Sequence, residues 1–271
     1  MNQRASAIAT IDPSRFQRAG SVDDRFQSYN VEMVEVIGGR FWKPYAAKSD
    51  DQSPAAQSSG VPVGMDPDLY QYRSPIDLGN PRLRTLASAL GPAYVRVSGT
   101  WANSVYFHDS DTPPPDRPPD QFGGMLTRQQ WQGVIEFADA VDARIVTSVA
   151  TGAGVRDADG VWSPDQAVAL LNYTRALGGM IAATEFMNEP TFALMGGAPA
   201  GYDAAAFGRD ISVFRSFLKQ TSPETIFLGP GSVGEGGTAF ELGPEMLRTE
   251  QLLEATGPAF DAFSYHFYGG A

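Results

Sequence analysis

The chain has 271 residues, of which 42% are apolar and 19% charged, with a mean hydropathy of -0.21, enough to bury the core of one large domain. Its formal charge of -11 and isoelectric point near 4.6 reflect a shortage of Lys and Arg, and they argue against nucleic acid or an anionic membrane surface as a partner. The absence of cysteine excludes disulfide scaffolds, thiolate metal sites and cysteine nucleophiles.

From Met1 to Arg15 no long apolar stretch serves as a signal core, and no segment reaches the roughly 18 apolar residues of a membrane span. A soluble protein is expected, either cytoplasmic or secreted with its leader removed. Near the start, Tyr29 to Val36 reads as a first strand. Asn80-Pro81 then sets a cap and a first-turn proline before Leu83, Leu86, Ala87 and Leu90, and Gly91-Pro92 stops that helix. Ala93 to Val97 is the next strand. Thr127 with Gln130 forms a capping box ahead of Trp131, Val134, Ile135 and Ala138, followed by the strand Arg144 to Val149. Ser163-Pro164 with Gln166 repeats the signal before Leu170, Tyr173, Thr174 and Leu177, and a strand runs from about Ile181 to Met187. Asp203 caps a helix with Phe207, Ile211, Phe214 and Leu218 on its buried side, leading to the strand Thr225 to Gly229. A last helix, Met246 to Glu254, precedes a strand within Phe260 to Tyr268.

Repeated βα units predict a parallel sheet, in a barrel or a doubly wound arrangement. Two loops are long for this plan, Gly38 to Ser74 and His108 to Gly124, and both follow strand C-terminal ends. In a βα barrel that rim holds the active site. Gly38-Gly39-Arg40 and Gly152-Ala153-Gly154 do not match a phosphate-binding loop. Two histidines are too few for a His-rich metal site, and no GxSxG elbow occurs. No metal and no cofactor are expected.

What remains at the strand ends is carboxylates, amides, hydroxyls and aromatics, a mixture suited to sugar chemistry. The focal point is Thr184-Glu185-Phe186-Met187-Asn188-Glu189-Pro190. Alternation puts Glu185, Met187 and Glu189 on one face and turns Asn188 away, unless the strand end twists or bulges. Pro190 cannot extend the ladder, so the strand ends there and leaves Glu189 at the rim. Glu32 and Arg96 could equally form a structural ion pair, and His266 a hydrogen-bonded rim residue.

Leu83 to Ala87 followed by Leu90 to Thr100 resembles the second barrel strand of heparanases. Asn188-Glu189-Pro190 resembles their acid/base motif, and Tyr265-His266-Phe267-Tyr268 their sixth strand. The matches keep the same order from Asn30 onward. The resemblance is to glycoside hydrolase family 79, the heparanase and β-glucuronidase family. It implies a (β/α)8 TIM barrel and retaining hydrolysis of β-linked glucuronic acid in an oligosaccharide or glycosaminoglycan. By the same resemblance Glu189 is the acid/base, Asn188 holds the sugar 2-hydroxyl, and Asn30 ends the first strand beside Glu32. Thr100 and Trp101 line the subsite, and Tyr265 and His266 lie near the nucleophile.

In that family the nucleophile ends the seventh strand, whereas this sequence carries six βα units within 21–271. Glu235, Glu241 and Glu245 follow strand five and are poor substitutes. The nucleophile, the last two strands and an accessory β-sandwich are expected in a further segment or a second chain, with Ser6 to Ile11, in the N-terminal segment 1–20, as a strand of that sandwich. Thr191 to Tyr202 lacks basic residues, which favours exo action or weakly sulfated substrates. The alternatives are a β-xylosidase or α-arabinofuranosidase of the same clan, or a non-catalytic carbohydrate-binding fragment.

Overall fold

Residues 12–44, 66–234 and 246–268 are described by the computed structural model, so the strand expected at Ser6 to Ile11 and the carboxylates Glu235, Glu241 and Glu245 lie outside the described residues. Strand β1 (Gln27–Glu32) is shorter than the sequence suggests, because the chain turns at Glu32 into a short helix α1 (Met33–Ile37). The Glu32 side chain accepts from the Glu35 backbone while the Glu35 carboxylate accepts from the Glu32 N–H, a reciprocal capping box inside what the sequence reads as a single strand. The long segment that follows is not wholly irregular. It contains an antiparallel ribbon of β2 (Gly39–Trp42) and β3 (Tyr70–Arg73).

Helix α2 (Pro81–Ser88) is capped as expected, with Asn80 Oδ1 accepting from the N–H groups of Arg82 and Leu83. Its predicted apolar stripe is only partly buried, for Ala87 is covered whereas Leu86 and Leu90 are exposed. Strand β4 (Ala93–Ser98) leads to a 3-10 turn at Thr100–Ser104 and to a parallel pair, β5 (Val105–His108) and β6 (Gly124–Thr127). Then come α3 (Arg128–Ala140), β7 (Ala143–Ser148), α4 (Asp165–Ala176), β8 (Ile181–Glu185), α5 (Ala204–Thr221), β9 (Ile226–Val233), α6 (Thr249–Thr256) and β10 (Ala262–His266). The capping box of α3 forms between Thr127 and Gln130 as its spacing predicts. That of α4 does not, because the Gln166 carboxamide is taken by the Phe107 N–H at 2.6 Å.

The six long strands form one sheet in the order β1-β4-β7-β8-β9-β10, each parallel to its neighbour. A doubly wound sheet reverses its order at a switch point. Here the order never reverses, which is the order of a βα-barrel wall, with β1 and β10 as the edges among the described residues.

Alternation along the strands separates two faces. Val31, Val95, Val97, Ile145 and Phe227 pack under the helices with Trp131, Val134, Phe137, Leu170, Leu171, Ile211 and Phe214. Asn30, Arg96 and Val146 lie side by side on the opposite face, two residues before Glu32, Ser98 and Ser148. Because all strands run the same way, their carboxyl ends meet at one rim, and every residue discussed below comes from that rim or the last turn beneath it.

Candidate active site

The chain leaves β8 at Glu185, and the alternation stops with it. Phe186 packs edge-on against Trp162, and Met187 is buried in the same core. The Asn188 side chain therefore returns to the side of Glu185 instead of turning away, the exception that a distorted strand end allows. Both share one donor, since Arg96 Nη2 reaches Glu185 Oε2 at 2.5 Å and Asn188 Oδ1 at 2.8 Å. Glu189 then adopts a left-handed backbone, φ 52° and ψ 59°, rare for a residue with a side chain. Pro190 opens a 3-10 turn behind it, in which the Phe192 N–H donates to the Glu189 carbonyl at 2.9 Å.

Glu189 Oε1 accepts from Tyr268 Oη at 3.0 Å and faces His266 Nδ1 at 3.0 Å. The other ring nitrogen of His266 lies 3.6 Å from Glu185 Oε1 and 3.4 Å from Arg96 Nη2. Burial favours neutral His266, but hydrogen bonds to Glu185 and Glu189 outweigh it and push the ring up to about 9. At neutral pH it is a cation donating toward both carboxylates. Its approach to Arg96 is then a contact of like charges, which Glu185 offsets from between them. Burial opposes the charge on Glu185 as well, yet the His266 hydrogen bond and the charges of Arg96 and His266 hold its carboxyl at about 2. For Tyr268, burial and then the Glu189 charge raise the phenol.

Glu32 faces the same cluster from β1. Burial is the main cause that lifts its carboxyl to about 7, against the Arg96 charge and with help from Glu35 and Glu189. Gly99, at φ +102°, makes room for it, since a Cβ there would fall 1.7 Å from Glu32 Oε2. A carboxyl raised in the folded state disfavours folding once ionised, so its penalty is absent below pH 4.5 and complete above about pH 7. Glu32→Gln, which mimics the protonated form, is expected to stabilise the protein by about 1–3 kcal/mol at pH 8 and to be neutral at pH 4. Urea unfolding at the two pH values measures this, and equal effects at both would contradict it.

The residues singled out in the sequence divide into two groups. Glu189, Asn188, His266, Glu32 and Thr100 come together, with Asn188 Nδ2 donating to Thr100 Oγ1 at 3.3 Å. His266 touches Glu189 itself. Asn30 is exposed, opposite Arg96 in register. The Trp101 ring packs against Phe41 and Tyr70 of the β2–β3 ribbon, at 5.3 and 6.0 Å between centroids. Tyr265 stacks on Phe263. The partner of Arg96 is Glu185 rather than the Glu32 considered from the sequence.

Three site residues were not singled out in advance: Glu185 and Arg96 as the buried pair, and Tyr268. Tyr268 stands two residues after His266, so period two along the last strand was the signal available for it. Among the described residues no group of three or more His, Asp or Glu is arranged to hold a metal ion, and no helix is long and apolar enough to cross a membrane.

No family model matches the chain, and no curated protein matches it. Among solved structures it is similar to the catalytic domain of GH30 xylanase C from Talaromyces cellulolyticus, at 13% identity and TM-score 0.45, covering 70% of this chain and 49% of that one. It is similar to a family 51 α-L-arabinofuranosidase from Bifidobacterium longum, at 14% identity and TM-score 0.45, covering 70% and 39%. It is also similar to a β-glucosidase from Trichoderma harzianum, at 13% identity and TM-score 0.34, covering 79% and 49%. The chain spans at most about half the length of these structures.

Proposed function

We propose that this chain carries the acid/base half of a retaining glycoside hydrolase acting on β-linked glucuronic acid. The observation that carries the reading is the grip on Glu189. Both of its hydrogen bonds fall on Oε1, which fixes the carboxyl through that oxygen and assigns Oε2 to carry the proton when the group acts as the acid. Oε2 gives that proton to the leaving oxygen as the glycosidic bond breaks and later takes one from the attacking water. His266 and Tyr268 fix the rotation of the carboxyl in both steps. Asn188, with its Oδ1 held by Arg96 and its Nδ2 lightly held by Thr100, is set to bind a sugar hydroxyl beside it.

A retaining site needs a second carboxylate about 5–5.5 Å from the first. Glu185 is engaged by Arg96 and His266, and Glu32 holds its proton until about pH 7. Neither suits attack on an anomeric carbon. We therefore assign the nucleophile to a seventh strand beyond β10, in a further segment or a second chain. Phe263 and Phe267 are exposed at the β10 edge, which fits a strand and its covering layer being added there. The uronate preference rests on the resemblance of the segments around β4, Glu189 and β10 to family 79.

Turnover of nitrophenyl β-glucuronide, β-xyloside, β-glucoside and α-arabinofuranoside tests the reading, with the glucuronide expected to show the highest kcat/KM. Preference for the xyloside or arabinofuranoside would keep the chemistry and overturn the substrate. Glucuronate binding without turnover of any glycoside, in a sample containing any completing segment, would make this a binding module.

A further inference from the structure

Resting on the assignment of Glu189 as acid/base, we infer that Asn103 is a positioning residue for the acid, acting through the backbone of Asn188. Asn103 is completely buried, and the hydrogen bonds of its side chain go to the backbone of Asn188. Its Oδ1 accepts from the Asn188 N–H at 2.9 Å, and its Nδ2 donates to the Asn188 carbonyl at 2.9 Å. β8 ends three residues earlier, so these backbone groups have no ladder partner, and buried ones need one. A primary amide supplies the same donor and acceptor as a peptide. Asn103 thus takes the place of a neighbouring strand for a single residue.

The consequence falls on Glu189. Its backbone conformation is set by the two peptide planes that flank its Cα. Asn103 pins the plane before it through the Asn188 carbonyl, and the Phe192 N–H pins the plane after it through the Glu189 carbonyl. With both planes held, the left-handed geometry and the direction of the side chain follow. Such strain persists only where the surroundings over-determine it.

Asn103 is itself anchored, and its neighbours leave space for it. Its carbonyl accepts from the Thr151 and Gly152 N–H groups, both at 2.8 Å, which ties the turn after β4 to the loop after β7. At Gly196 a Cβ would stand 2.5 Å from Asn103 Nδ2. A side chain there would push the amide off Asn188.

The test separates help to the leaving group from general damage. Dinitrophenyl glycosides leave without a proton, whereas methyl glycosides need one. On the sugar preferred in the nitrophenyl panel, Asn103→Ala and Asn103→Asp are expected to lose about 10²-fold in kcat/KM on the methyl glycoside and less than about threefold on the dinitrophenyl glycoside. Gly196→Ala, which keeps Asn103 but displaces its amide, should show the same split and decides the matter if the Asn103 variants do not fold. Equal losses on both substrates, or no loss on either, would overturn the role of Asn103. Glu189→Ala run alongside distinguishes the two failures: if it too shows no dependence on the leaving group, the assignment of Glu189 is what falls.

Discussion

Replacing Glu189 by alanine is expected to lower kcat/KM for an unactivated glucuronide by about 10²–10⁴-fold, the contribution of a positioned general acid. The loss shrinks as the leaving group improves, because a phenolate of low basicity departs without a proton. Turnover of an activated glycoside then stalls at hydrolysis of the glycosyl-enzyme, where the same carboxyl would have activated water. Added azide attacks that intermediate without needing a base, so the rate recovers and a glycosyl azide of retained configuration accumulates. Rate measurements with and without azide, with the product identified by NMR, check the expectation. A variant as active as wild type, or an azide product of inverted configuration, would sink the assignment.

The second large effect is on stability. Glu185 is buried, with a side chain 3% exposed, and Arg96 Nη2 and Nε both donate to its Oε2. Arg96→Met leaves that charge with only His266 nearby, and loss of one partner from a buried pair costs about 3–5 kcal/mol. The pH dependence has a definite sign. Glu185 is held at about 2 against an ordinary 4.5, so its contribution is present above pH 4.5 and disappears as the pH falls through 2. The gap between variant and wild type is therefore widest near neutrality and narrows in acid. Arg96→Met combined with Glu185→Gln should recover most of the loss, since no unpaired charge is left. Denaturant unfolding of the two variants decides this. A single variant within about 1 kcal/mol of wild type would mean that the pair contributes little.

The pair also bears on function. Arg96 fixes Asn188 with the same nitrogen that it offers to Glu185, so in Arg96→Met the amide loses the bond that orients it.

What was legible along the chain was local. The α3 capping box spans three residues and forms as written. Asp203 caps α5 as expected, its Oδ1 accepting from the Ala206 N–H. Pro190 marks the end of the fourth strand in the sequence, whereas β8 already ends at Glu185 and Pro190 instead opens the 3-10 turn behind Glu189. The same kind of rule misled at Gln166, because a distant backbone N–H competed for its side chain. The strand expected through Val36 failed at Glu32, where a capping box starts a helix instead.

The sequence by itself determined the succession of βα units but left the strand order open between a barrel and a doubly wound sheet, and it placed Glu185 and Glu189 near the carboxyl end of the fourth strand. Only the tertiary structure decided which groups meet there. Arg96 and Glu185 are 89 positions apart, Asn103 and Asn188 are 85, and His266 and Glu189 are 77. Such contacts are set by the register between parallel strands and by the turns at their ends. No spacing along a single segment records them.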